Sequence, residues 1–179
     1  MKTVFEMICE ARSDTKVRNE LREILQKNAG DKRASVRMKE IMPFTLDEIL
    51  GKGEEGVCVK TADGKVLKIY YGEIPLCMSM LAAACAAGYE PETLPSVVKG
   101  DHWILRDLYK TKTPKCKLWI KEVRGYHKEK RIVAKKFMDW CDKANYELSE
   151  IGAPPLYQSD IKLENFGEAR DTSIHLIDF

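Results

Sequence analysis

The sequence predicts an α+β fold of two small lobes, preceded by an N-terminal helix. Three observations support it. From residue 44 onward, short runs of β-forming residues alternate with glycine-rich turns, an almost wholly apolar segment spans residues 75–87, and residues 132–151 keep an amphipathic helical rhythm. Strands come first and the long helix late, which favours separate helical and strand regions over alternating β-α units. A length of 179 residues fits one domain with two lobes.

The N-terminal part predicts one amphipathic helix over residues 14–28. Val17, Leu21 and Leu25 share one face, Asp14 can cap the start, and Gly30 can end the helix. Residues 32–39 are strongly basic and predict a linker. Residues 1–42 are therefore expected to form an N-terminal helical extension.

The next part, residues 43–109, is expected to form the first lobe. Residues 57–59 and 66–70 are two β-forming runs joined by TADGK, which predicts a hairpin with Asp63-Gly64 at its tip. Residues 75–87 predict a helix that is apolar all round and so buried on several sides. Two further strands are expected at residues 94–98 and 103–108.

The last part, residues 110–179, is expected to form the second lobe. Its strongest element is the helix predicted over residues 132–151, which Gly152 ends. A loop and a final strand over residues 174–177 follow. The six scattered cysteines contain no CxxC pair, which favours reduced core thiols in a cytoplasmic protein over a zinc site or a disulfide frame. No membrane span and no secretory signal is expected.

Two motifs suggest phosphate chemistry. Gly51, Gly53 and Gly56 form GxGxxGV between two β-like runs, which is typical of a loop over nucleotide phosphates, and Lys68 follows on the next strand. Alone, Lys68 could equally be a lysine whose head reaches solvent.

The C-terminal stretch is more specific. Asp160 and Asn165 lie five positions apart, and Asp178 follows an apolar strand. An Asp near an attacking hydroxyl, and an Asn and an Asp on metal ions, are parts that phosphoryl transfer needs. Each also has a structural interpretation, as a cap, a turn residue or a terminal residue.

DIKLEN (residues 160–165) resembles the DLKPEN catalytic loop of Ser/Thr protein kinases, and IDF resembles the start of their DFG element. The resemblance implies a minimal two-lobed kinase fold that uses ATP and Mg²⁺ to phosphorylate Ser or Thr of a protein. It implies Asp160 as the catalytic Asp, Lys162 at the γ-phosphate and Lys68 at the α/β-phosphates. The implied metal ligands are Asn165 and Asp178, and the implied nucleotide contacts are Gly51, Gly53, Gly56, Val57, Val66 and Asp107.

The sequence departs from that family in several places. Gln158 and Ser159 replace the usual His-Arg, and no activation loop or peptide-binding platform follows Asp178. The apolar helix has no Glu to pair with Lys68, so Glu90 or Glu92 would have to reach it, and Glu54 and Glu55 place negative charge in the phosphate loop. The pattern resembles the pared-down, constitutively active kinases that bacterial pathogens deliver into host cells, some of which act on a chaperone.

Two alternatives remain open from the sequence. One is a pseudokinase-like interaction module that engages the ubiquitin machinery or another kinase, and the other is a small-molecule kinase. Eleven Lys or Arg against two Glu lie between Lys110 and Lys136. This segment is either a solvated helix face with a flexible loop or a dock for an acidic partner surface. A nucleic-acid partner is disfavoured, because two aromatic residues in the run do not make a base-stacking platform.

Overall fold

The computed structural model describes residues 3–125, 131–155 and 165–177. The fold is α+β, as predicted, and its strands pair antiparallel wherever their register is defined. The chain divides into two compact units, Met1–Ile74 with Val98–Leu108 and Pro75–Val97 with Tyr109–Phe179. The N-terminal helices thus share a unit with the strands that follow them, and the apolar helix belongs to the second unit. The elements of the first unit are α1 (Val4–Ala29), α2 (Asp31–Glu40), β1 (Leu46–Lys52), β2 (Gly56–Thr61), β3 (Lys65–Tyr70) and β5 (Trp103–Asp107).

The N-terminal helices extend further than the sequence pattern predicts. α1 begins at Val4 because Thr3 and Glu6 form a reciprocal capping box. The prediction of a linker over residues 32–39 is wrong, because those residues form α2. The physical reason is the spacing of Ala34, Met38 and Ile41, which puts a short apolar line on one side of an otherwise charged helix.

The first unit is built on a five-stranded sheet of order β1-β2-β3-β5-β4, where β4 is Val97–Lys99. The predicted hairpin is confirmed: β2 and β3 pair antiparallel, and Gly64 at the tip has φ 79°. One face of the sheet packs against α1 and α2. That core consists of Val17, Leu21, Leu25, Ala34, Met38, Ile41, Leu46, Val57, Val59, Leu67, Ile69 and Tyr71.

The second unit combines helices with a small sheet. Its elements are α3 (Leu76–Ala86), α4 (Pro114–Gly125), α5 (Arg131–Glu150) and a three-stranded sheet of order β6-β7-β8, formed by Lys110–Thr111, Phe166–Glu168 and Ile174–Leu176. Trp140 of α5 contacts both Trp119 of α4 and Phe166 of β7, with ring centroids 6.0 and 5.4 Å apart. These aromatic contacts hold the two helices on the sheet.

The apolar helix α3 has the predicted position, but it is not buried on all sides. Met78, Leu81 and Ala82 are buried, whereas Leu76 is 72% exposed. Gly88 follows it with φ 94°, a conformation that favours glycine and ends the helix. All six cysteines lie among the described residues and none forms a disulfide, but only Cys116 has the buried core position that was predicted.

Candidate functional site

Lys68 lies in the middle of the first unit's sheet. β3 runs between β2 and β5, and Lys68 pairs there with Cys58 and Ile104. Only 8% of the residue is exposed. Its Nζ lies 3.4 Å from Glu55 Oε2 and 4.9 Å from the centroid of the Tyr70 ring. The buried ammonium therefore contacts both a carboxylate and an aromatic face.

The glycine-rich segment, residues 51–56, covers the end of β1, the turn at residues 53–55 and the first residue of β2. The Gly53 amide donates to the Gly56 carbonyl, and the Tyr71 amide donates to the Glu55 carbonyl, each at 2.9 Å. A Cβ on Gly56 would lie 2.3 Å from the Ile69 carbonyl oxygen, whereas Gly51 and Gly53 face open space. Gly56 is thus required by its close approach to β3. Gly51 and Gly53 leave room above an exposed backbone, as a phosphate loop would need.

The structure separates the predicted nucleotide contacts. Side chains alternate along a strand, so Val57 lies on the helix-packed face of the sheet, where it is fully buried in the core. Val66 shares the opposite face with Lys68 and is 2% exposed. The β2 residue on that face is Cys58, which the sequence did not single out. Asp107 lies at the exposed end of β5, opposite Lys65.

Glu55, whose carboxylate contacts Lys68, was not one of the partners that the sequence suggested for this lysine, which were Glu90 and Glu92. Glu92 instead forms an ion pair with Lys143, and that hydrogen bond raises the pKa of Lys143. The sequence treated Glu55 as a charge that weakens phosphate binding, because nothing in a linear pattern shows how the turn folds over β3. In the structure the anchored main chain of Glu55 carries its carboxylate to Lys68.

In the second unit, Asn165 immediately precedes β7. The Ile177 amide donates to its carbonyl oxygen at 2.7 Å, next to the pairing of Phe166 with Leu176. This bond ties the segment of Asn165 to the residue that precedes Asp178 in the sequence. Asp160, Lys162 and Asp178 themselves lie outside the described residues.

Glu147 is a buried carboxylate in the second unit that the sequence analysis did not single out. It is 4% exposed, and its carboxylate accepts hydrogen bonds from the amides of Glu92, Thr93 and Leu94 and from the Thr93 hydroxyl. The signal was available, because a Glu at position 147 falls between Ala144 and Leu148 on the apolar face of a helix. A charge on that face needs buried partners.

The segment that Glu147 holds in turn contacts β8. The Leu176 amide donates to the Thr93 carbonyl at 3.1 Å, and His175 Nδ1 lies 3.4 Å from the Leu94 carbonyl oxygen. A chain of hydrogen bonds therefore runs from α5 through residues 92–94 to the strand that leads to Asp178. Glu147 positions this strand.

Two absences apply to the part of the chain that the structure describes. There, His, Cys, Asp and Glu form no group of three or more that could hold a metal ion. Across the same residues, we find no helix with the length and apolar character that crossing a membrane requires.

Comparisons with protein-family models, curated proteins and solved structures give no match to this chain.

Proposed function

We propose that this protein is a minimal Ser/Thr protein kinase that transfers the γ-phosphoryl group of ATP, with Mg²⁺, to a protein hydroxyl. The observation that carries the proposal is Lys68: a buried lysine on the third strand, whose Nζ lies 3.4 Å from a carboxylate of the glycine-rich turn. In protein kinases the phosphate-binding lysine occupies the third strand and a glycine-rich loop covers the phosphates.

The Glu55 carboxylate marks where an anion can meet Lys68. The Glu55 side chain is 62% exposed, so it can leave Lys68 at little cost when a more highly charged triphosphate arrives. Lys68 then keeps an anionic partner both without and with nucleotide. A buried ammonium that always has such a partner avoids the cost of an unpaired buried charge.

The roles proposed in the second unit follow the catalytic-loop pattern. Asn165 and Asp178 offer the oxygen donors that Mg²⁺ prefers, and the bond from Ile177 to Asn165 ties their two segments together. Bound Mg²⁺ would neutralise phosphate charge. In the proposed transfer, a bond forms between the substrate hydroxyl oxygen and the γ-phosphorus while the bond to ADP breaks. Asp160 accepts the hydroxyl proton, and Lys162 stabilises the transferring group.

Transfer of label from γ-³²P-ATP to proteins of a host-cell lysate tests the proposal. The resemblance to pathogen effectors directs the search to chaperones first. We expect labelling by the wild type to fall by about 100-fold or more in Asp160→Ala, Asp178→Ala and Lys68→Met. Lys65→Met is the matched control, because Lys65 begins the same strand with an exposed side chain, and it should label normally. Equal labelling by all variants rejects the proposal.

A second candidate is an interaction module without transfer activity. It is favoured by the ion pair itself, since Glu55 already occupies Lys68. The two candidates differ in Glu55→Gln. For a kinase, removing the competing carboxylate should tighten Mg·ATP binding by about two- to fivefold, while Glu54→Gln should change it less. For an interaction module, neither the wild type nor Glu55→Gln should show a magnesium-dependent thermal shift with ATP.

A further inference from the structure

A groove in the first unit lies apart from Lys68 and the glycine-rich segment, and none of the candidate kinase residues lines it. It has a volume of about 520 Å³ and runs between the antiparallel helices α1 and α2, which meet at Gly30. It is lined by Arg18, Arg22, Gln26, Ala34, Ser35, Met38, Lys39 and Met42. A cleft of this size is within the range of ligand-binding sites.

The α1 side of the groove is a line of polar side chains. Arg18, Arg22 and Gln26 are spaced by four residues, so they follow one ridge of the helix over about 12 Å. The apolar residues of α1 point elsewhere, into the core with α2. The ridge is therefore free of a packing role along most of its length.

The charged side chains that line the groove are all cationic. Arg22 and Lys39 are exposed and form no ion pair with any described residue. Arg18 Nε donates to Asp14 at 2.7 Å and its Nη2 donates to the Phe44 carbonyl, but Nη1 is buried without a hydrogen-bond partner among the described residues. The Arg18 guanidinium is therefore largely committed to Asp14 and Phe44, and the exposed cations of the groove are Arg22 and Lys39.

The α2 side of the groove combines the polar Ser35 and Lys39 with apolar residues. Ala34 and Met38 are buried at its floor, and Met42 at one end is 67% exposed. Methionine side chains adapt to different apolar surfaces, which suits a binding site better than a rigid core. The groove thus combines an apolar floor with cationic walls.

We propose that this groove binds an acidic, amphipathic helical segment of a partner protein. About two turns of such a helix span the ridge, with apolar side chains against Met42 and the exposed edge of Met38, and carboxylates toward Arg22 and Lys39. A small anion fits less well, because the cations are spread along the groove. A membrane surface fits less well, because these cations line a concave cleft. The proposal is independent of the proposed kinase activity.

Fluorescence anisotropy with labelled 14-residue helical peptides tests this inference. One peptide carries Leu on one face and Glu on the other, a second replaces Glu by Lys, and a third keeps Glu but replaces Leu by Ser. We expect the first to bind, the other two to bind at least about tenfold more weakly, and the affinity of the first to fall with salt.

Charge-reversed variants locate the site. Arg22→Glu with Lys39→Glu should weaken binding of the acidic amphipathic peptide at least about tenfold. The matched control is Lys27→Glu with Lys32→Glu, which makes the same change in net charge on exposed positions of the same helices outside the groove. It should change affinity less than about twofold. Met42→Ser should weaken binding through the apolar floor.

Several outcomes overturn the proposal. Equal losses in the two charge-reversed variants would show a response to net charge alone. Failure of the acidic amphipathic peptide to bind would exclude this ligand class. Groove-dependent binding to phosphatidylserine vesicles in place of the peptide would assign the site to a membrane. Arg22→Gln with Lys39→Gln, which adds no repulsion, must reproduce the direction of the effect if folding of the first variant is impaired.

Discussion

Each unit fixes a short backbone segment with one buried charge, but the two charges have opposite signs. In the first unit the Arg37 guanidinium, 5% exposed, donates to the carbonyls of residues 70–72 at 3.1–3.2 Å. In the second unit the Glu147 carboxylate accepts from the amides of residues 92–94 at 2.9–3.1 Å. One charge satisfies acceptors and the other satisfies donors.

This difference predicts how far the free energy of unfolding falls when each charged side chain is removed. A backbone carbonyl has two lone pairs and tolerates incomplete bonding, whereas a buried amide with no acceptor is rare in native proteins. Burial lowers the pKa of Arg37, and the nearby Glu40 carboxylate partly offsets this shift. The cost of removing the guanidinium from water therefore reduces the net stabilisation from its hydrogen bonds. Replacing Glu147 should therefore lower the free energy of unfolding more than replacing Arg37.

Lys68 shows a different use of a buried charge. Its carboxylate partner belongs to a mostly exposed side chain, not to a fixed run of backbone groups. A charge held by buried backbone partners stabilises the fold, whereas water can replace an exposed side-chain partner such as Glu55 at little cost.

The largest expected effect is that of Glu147→Ala. It leaves three backbone amides and the Thr93 hydroxyl without their acceptor, so the free energy of unfolding should fall by about 3–4 kcal/mol. Urea unfolding followed by circular dichroism measures it. Glu150→Ala, an exposed site on the same helix, should change it by less than about 0.5 kcal/mol. Similar values for both variants would mean that solvent replaces the carboxylate.

Arg37→Met should have the second largest effect, about 2 kcal/mol, because methionine keeps much of the apolar stem but removes the donors. Arg33→Met is the control at an exposed site of α2. The same unfolding measurement applies. A loss greater than that of Glu147→Ala would contradict the distinction between carbonyls and amides.

Local patterns in the sequence were enough for α3, α5, most of α1 and the hairpin, but they did not predict α2 or α4. The hairpin of β2 and β3 and the helix α5 follow from alternation, turn residues and helical spacing, all of which act over a few residues. The helix α2 was not predicted, because its three apolar positions, Ala34, Met38 and Ile41, are separated by many charged residues. Its burial depends on α1, and no local pattern shows that.

For the candidate site, the sequence predicted which residue types take part but not which side chains contact one another. Lys68 was found because a lysine in an apolar strand is unusual, but its contact with Glu55 depends on how a turn folds over β3. The choice between Val57 and Cys58 depends on which residue of β2 faces the same way as Lys68, which is a matter of register. Asp160, Lys162 and Asp178 stay predictions from the catalytic-loop pattern.

The smallest expected effect concerns a carboxylate bonded like Glu147 but exposed to water. Asp171 Oδ1 accepts from the Ser173 amide at 2.9 Å and from its hydroxyl at 2.6 Å, and these bonds lower the pKa of Asp171. A carboxyl whose pKa is lower in the folded state stabilises the fold above its ordinary pKa of about 3.9. That contribution is lost as the pH falls through the lowered value.

Asp171→Asn should therefore reduce the melting temperature slightly at pH 6, and the difference from the wild type should shrink toward pH 3. Asp139→Asn, at an exposed position of α5, controls for the loss of one negative charge. If Asp171→Asn at pH 6 destabilises as strongly as Glu147→Ala, burial is not what separates the two carboxylates. The number and kind of their hydrogen bonds would then account for the stability that each carboxylate contributes. If the effect is small and fades with acid, the same bonds count for much more where water cannot replace them, because solvent competes for both partners at an exposed turn.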